Sequence, residues 1–192
     1  RLGTDYIDLM ILHQPAGDTV AGYRILEKAH KEGKIRAIGL SNFDVAQTQR
    51  ILDECEVVPT INQVECHPYF PQTELKALLK EHNIALQAWY PLGGRGNASI
   101  MSEPVIAEIA KTHGKSPAQV ILRWHVQQGD IVIPGSKTPS HIAQNIELFD
   151  FALTDEEMAR IAALDRGDTI YHRTPELLDR YLHFVPDVEG QK

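Results

Sequence analysis

Disulfide scaffolds, membrane spans and polyanion-binding faces are structures this sequence has no material for. Only two cysteines, Cys55 and Cys66, occur in 192 residues; they stand in no metal-like spacing and suit a reducing, cytoplasmic setting. Lys and Arg number 19 against 26 Asp and Glu, a formal charge of −7, which repels nucleic acid and anionic membranes. No apolar run approaches the roughly 18 residues of a membrane span, and nothing reads as the apolar stretch of a secretory leader. Internal repeats and low-complexity linkers are missing too. So is the Gly-x-Gly-x-x-Gly turn by which a doubly wound sheet cradles a dinucleotide. Gly93-Gly94-Arg95-Gly96 follows a strand but leads into Asn97-Ala98-Ser99, poor chemistry for opening a helix, although its backbone N–H groups can face an anion. There is no strand-borne His-x-His from which a metal centre could be built.

What the chain does contain is alternation. Short, nearly all-apolar runs at 7–12, 37–40, 60–64, 85–88 and 131–133 read as strands covered on both faces. Amphipathic stretches fall between them: 21–32 closing at Gly33, 45–54, 73–81, and the pair 104–112 and 117–128. Ser116-Pro117 supplies an N-cap and a proline at the first helical position, with Gly129 past the end. Thr138-Pro139 opens another helix, and Thr154 with Glu157 forms a capping box ahead of Met158, Ile161 and Leu164. Strand–helix alternation with short connections predicts a parallel sheet with right-handed crossovers. Such sheets gather function at the C-terminal strand ends, and here those ends carry His13, Ser41-Asn42, Gln63, Trp89 and Gly135-Ser136-Lys137. That placement predicts an enzyme. A closed eight-stranded α/β barrel typically takes about 250 residues. The start, Arg1-Leu2-Gly3-Thr4 running at once into a strand, reads as the middle of a domain, so further strands are expected upstream.

The segments Asp5-Tyr6-Ile7-Asp8-Leu9-Met10-Ile11-Leu12-His13, Gly33-Lys34-Ile35-Arg36-Ala37-Ile38-Gly39-Leu40-Ser41-Asn42-Phe43, Asn62-Gln63-Val64-Glu65-Cys66-His67-Pro68 and Ile133-Pro134-Gly135-Ser136-Lys137 resemble, in this order and spacing, the aldo-keto reductase family. The resemblance implies a (β/α)8 TIM barrel of which this chain supplies about five strand–helix units, lacking the first three strands. Residues 1–164 would be the C-terminal part of the barrel. Residues 165–192, with Tyr171, His172, Arg173, Tyr181, His183 and Phe184, would form a tail that shapes the substrate pocket.

Taken alone, a histidine at a strand end more often satisfies a carbonyl than reacts; the resemblance instead assigns His13 the carbonyl oxygen of the substrate, which an imidazole N–H is suited to polarise. Ser41, Asn42 and Gln63, otherwise ordinary turn and strand-end residues, would hold a nicotinamide carboxamide. Trp89 would stack on the ring, and Tyr90, Leu92 and Gly93 would run along the pyrophosphate. Ser136, Lys137 and Thr138 would face the adenosine phosphate, assisted by a helix N-terminus, with His141 on the cofactor rim and Gln144 and Asn145 at the adenine. Gly135 and His141 stand where many family members carry a lysine and an arginine for the 2′-phosphate, which leaves NAD open beside NADP. The family's catalytic tyrosine, lysine and aspartate would lie upstream, and none of the six tyrosines here sits in that motif.

The implied function is NADPH-dependent reduction of an aldehyde or ketone, a small-molecule carbonyl substrate, by a protein monomeric at full length, with this chain alone inactive. A nonenzymatic cofactor-binding subunit of the same family is the alternative. A metal-dependent barrel hydrolase comes third, without a ligand cluster to support it.

Overall fold

The computed structural model describes residues 3–94 and 98–185. Along the chain it forms β1 (Ile7–Leu12), α1 (Thr19–Lys31), β2 (Ile35–Ser41), α2 (Val45–Glu54), β3 (Ile61–Glu65), α3 (Thr73–Glu81), β4 (Ala85–Trp89), a 3-10 turn (Ala98–Ser102), α4 (Pro104–His113), α5 (Pro117–Gln127), β5 (Ile131–Val132), α6 (Pro139–Gln144), α7 (Asp155–Ala162) and α8 (Pro175–His183). Two compact units divide it, Arg1–Pro59 with His172–Lys192, and Thr60–Tyr171. Residues 165–171 thus go with the second unit and the rest of the expected tail with the first. Among the described residues no helix is long and apolar enough to cross a membrane.

In the first unit β1 and β2 run parallel, with Ile7 opposite Ile35 and Leu12 opposite Leu40. The sequence pattern starts β2 at Ala37, but pairing with β1 extends it back to Ile35. Asp18 caps α1 by accepting from the Ala21 amide, and Gly33 turns the chain at φ 73, a conformation only glycine adopts freely. Asp44 and Gln47 close a capping box on α2. Val20, Tyr23, Ile35, Ile38, Leu40, Phe43 and Ile51 form the core. The Tyr23 hydroxyl donates to the Val57 carbonyl at 3.0 Å. Burial, then the nearby Glu27 carboxylate, push that phenol far above its usual range. Glu27 is itself buried and accepts the amides of Glu56 and Val57, each at 2.7 Å.

In the second unit β3, β4 and β5 are parallel, with Glu65 opposite Trp89 and Gln87 opposite Ile131. Capping boxes Ser116–Gln119 and Thr154–Glu157 start α5 and α7 as their sequences predict. Trp124, Ile106, Ile109, Ile121, Leu153 and Ile161 are central to the core. The Gln127 amide locks the α5 end to the chain before α7, donating to Leu153 O at 3.0 Å and accepting its N–H at 2.7 Å.

The expectation of strands covered on both faces fails at β1 and β5. Leu9, Met10 and Ile131 are 37%, 40% and 42% exposed, whereas every residue of β3 but Gln63 is buried. Among the described residues β1 bonds to β2 and β5 to β4 alone, so each has an open side. α8 follows Thr174-Pro175, the same cap-then-proline start as α6.

Candidate functional site

In the first unit the register of β1 and β2 brings their C-terminal ends level, so His13 and Ser41 emerge side by side. Asn42 then turns the chain at φ 63. Its amide donates to the His13 carbonyl at 3.4 Å and to Ser41 Oγ at 3.2 Å, tying the two strand ends together. Ser41 is buried and the His13 side exposed. Arg173 buttresses this turn from the C-terminal segment, donating to Asn42 O at 3.4 Å, to Asp44 Oδ2 at 2.6 Å and to Gln47 Oε1.

In the second unit Gln63 faces Gln87 in register, and its amide donates to the Gln87 side-chain carbonyl. Trp89 ends β4, half-buried, its ring T-shaped to those of Tyr90 and Tyr171 at centroid separations of 5.0 and 5.9 Å. Tyr90 holds φ 51, an outlier for a bulky residue and a kind of strain that concentrates at functional sites. The Gly93 amide closes this turn on Tyr90 O at 2.8 Å. A Cβ at Gly94 would lie 2.5 Å from the Tyr90 ring. Arg95, Gly96 and Asn97 lie outside the described residues.

Beyond that loop a cavity of about 340 Å³ is lined by Leu92, Met101, Ser116–Ala118, Gly135, Ser136, His141, Gln144 and Asn145. A second, of about 320 Å³, is lined by Tyr90, Leu92, Gly94, Gly135 and neighbouring prolines. Five of the expected cofactor residues (Leu92, Ser136, His141, Gln144 and Asn145) therefore share one concave surface. Lys137 and Thr138 are exposed and line neither cavity. The Thr138 amide donates to Ser136 Oγ at 3.1 Å, and α6, which Thr138 precedes, spans six residues. Met101 and the α5 start are wall residues that no motif signals; in sequence Ser116 and Pro117 mark only a helix start.

Two buried polar clusters also escaped the sequence reading. Glu65, 2% exposed, accepts four donors: His67 Nε2 at 3.0 Å, the Ile170 amide at 2.8 Å, Thr169 Oγ1 at 2.8 Å and the Tyr171 amide at 2.9 Å. Burial pushes its carboxyl up, but His67 and the three donors from 169–171 outweigh that and leave it below the ordinary 4.5. Ionised Glu65 therefore adds stability above pH 4.5, lost as pH falls through the lowered value.

The other cluster joins residues of three segments. Cys66, His125 and Asp130 place potential ligand atoms within 4.8 Å of one another. The Lys76 ammonium supplies a cation there, 2.7 Å from Asp130 Oδ2. Burial pushes the Cys66 thiol up to about 12, leaving it protonated. Desolvation lowers the His125 imidazole below its ordinary 6.5, so it sits neutral with Nδ1 on Asp130 at 2.8 Å. Among the described residues this is an internal network around a lysine, in which His125 Nδ1 is bonded and its Nε2 has no hydrogen-bond partner.

A family model described as "Aldo/keto reductase family" matches residues 1–166. Among curated relatives, the 9,11-endoperoxide prostaglandin H2 reductase of Trypanosoma cruzi (strain CL Brener) is 44% identical over 170 residues, covering 88% of this chain and 60% of that protein. The glyoxal reductase of Bacillus subtilis (strain 168) is 42% identical over 179 residues, covering 93% and 64%. Among solved structures, an aldo-keto reductase from a Medee basin deep-sea metagenome library superposes with a TM-score of 0.85 at 37% identity, covering 88% of this chain and 63% of that one. A Gox0644 variant in complex with NADPH gives 0.82 at 39% identity, covering 90% and 64%. The chain thus spans rather less than two thirds of the length of these relatives.

Proposed function

The chain belongs to the aldo/keto reductase family, supplying five strand–helix units of its barrel, and on that premise we propose that it is part of an NADPH-dependent carbonyl reductase. The observation that carries the cofactor assignment is the 340 Å³ cavity, whose amide, hydroxyl, imidazole and apolar lining suits an adenosine; Gly135 has nothing within 4 Å of its Cβ position, leaving room for close approach. The NADPH held by the Gox0644 variant supports the phosphorylated form.

When bound, the reduced nicotinamide supplies a hydride. Ser41 and Asn42 at the strand ends of the first unit, and Gln63 in the second, would each offer neutral donors and acceptors of the kind a carboxamide takes. Trp89, packed T-shaped against Tyr90 and Tyr171, would give a flat apolar face to the nicotinamide ring, and the loop through Leu92 and Gly93 would hold the pyrophosphate through its backbone. His13 donates a ring N–H to the substrate carbonyl oxygen and so draws electron density from the carbon being reduced. The substrate is an aldehyde or ketone. The proton that completes the alcohol comes from a group outside this chain.

The test compares the 192-residue chain with the polypeptide extended upstream, following loss of reduced-cofactor absorbance with a panel of aldehydes and ketones. Turnover is expected from the extended polypeptide and none from the chain alone. Failure of the extended polypeptide to consume cofactor with any carbonyl would overturn the reading. Parallel titrations with NADPH and NADH should show tighter NADPH binding, and equal affinity would remove that preference.

A further inference from the structure

The tail between Asp165 and Tyr171 is held in the second unit by a set of bonds that the proposed chemistry does not use. The amides of Arg166 and Asp168 both donate to Tyr69 O, at 3.1 and 3.2 Å. Arg166 Nη2 pairs with Glu103 at 2.6 Å while its guanidinium lies 4.1 Å from the Tyr69 ring centroid. The next three residues converge on a single carboxylate, Glu65, through Thr169 Oγ1 and the amides of Ile170 and Tyr171. Each of its oxygens takes two donors, the fourth being His67.

A buried carboxylate is costly unless its lone pairs are filled, so Glu65 and the 169–171 backbone depend on each other. Glu65 is also in register with Trp89, and Tyr171 lays its ring against that tryptophan. The end of β3 thereby fixes both the tail and the ring standing on the neighbouring strand.

We propose that Glu65 is a positioning residue that docks residues 169–171, so that Tyr171 sets the orientation of Trp89 and the tail forms a fixed wall of the carbonyl pocket. The pocket assignment rests on the reductase reading, whereas the docking role does not. With the docked state weakened, a substrate that needs the wall binds only to the docked fraction, and its apparent affinity falls by that fraction.

The experiment uses the full-length protein with Glu65→Ala, the near-isosteric Glu65→Gln and, should either fail to fold, Thr169→Val, which leaves the strand untouched. The first readout needs no activity. Acrylamide quenching separates half-buried Trp89 from Trp124, which is 1% exposed. Limited trypsin cleavage reports release at Arg166 and Arg173. We expect the accessible quenching constant to rise about twofold or more and tail cleavage about tenfold in Glu65→Ala, with smaller rises in the other two variants. The second readout is kinetic: KM for the carbonyl should rise roughly tenfold and cofactor affinity should fall about two- to fivefold as Trp89 loses its support, while kcat changes less than about twofold.

Wild-type quenching and cleavage in folded variants would overturn the docking role. Altered docking with an unchanged KM, or with a loss in kcat alone, would overturn the pocket role. If no carbonyl turns over in the unmodified full-length protein, the reductase reading fails while the first readout still decides the docking.

Discussion

Asp130→Ala should be the most destabilising single truncation in the second unit, lowering unfolding free energy by about 3–5 kcal/mol, because it strips the counter-charge from a buried ion network. Asp130 Oδ2 accepts His125 Nδ1 at 2.8 Å and the Lys76 ammonium at 2.7 Å, with the carboxylate side chain 4% exposed. Lys76 also sits 5.1 Å over the Trp124 ring, at the centre of the core. Its side chain is 18% exposed and can turn toward Gln128, already within 3.1 Å, which places the expected value in the lower half of the range. Urea unfolding measures it. Lys76→Met in the same background should restore part of the loss, since the orphaned ammonium then disappears, and the double-mutant cycle should show coupling above roughly 1 kcal/mol. A single-mutant loss near zero would mean that Asp130 is not the counter-ion.

His13→Ala in the full-length protein should reduce kcat by about 10²–10³-fold, the cost of deleting one donor at a developing oxyanion. The ring is exposed at the end of β1, and its backbone carbonyl, rather than its ring, carries the bond from Asn42. The substitution therefore leaves the strand-end geometry intact, and cofactor affinity by fluorescence titration should be unchanged. A variant with wild-type kcat would leave His13 a surface residue. A matching loss of cofactor affinity would put its role in binding instead.

The elements themselves were largely legible because their signals are local. The bounds of α2 and α3 follow from amphipathic periodicity, and β1 from an apolar run between polar ends. β2 was misjudged at its start because its first residues are strand only through pairing, Ile35 with Ile7, and pairing is not local. Exposure of β1 and β5 was illegible for the same reason: Leu9 and Ile131 look like core in any alphabet of residues, and their surroundings are set by neighbours in space. The strand-end placement of His13, Ser41 and Trp89 was legible because each follows or closes an apolar run, and a parallel sheet assigns meaning to that position. Glu65 carried no such signal; three of its four partners lie 104 to 106 residues away, and nothing in Val64-Glu65-Cys66 announces them. The Cys66–His125–Asp130 grouping was invisible likewise, since cysteine spacing says nothing when the ligand atoms come from three segments.

The left-handed turns at Asn42 and Tyr90 bear on how this sequence can drift. Each follows a strand directly, and neither is glycine. In a library randomised at these two codons, survivors are sorted by backbone shape before any chemistry is sampled. At position 42 glycine and aspartate should pass that sieve, and valine, isoleucine and threonine should vanish from it. At position 90 glycine, and to a lesser degree asparagine or aspartate, relieve the backbone, and each does so by discarding the ring beside Trp89, so retention of tyrosine there would show selection preferring the side chain over the easier turn.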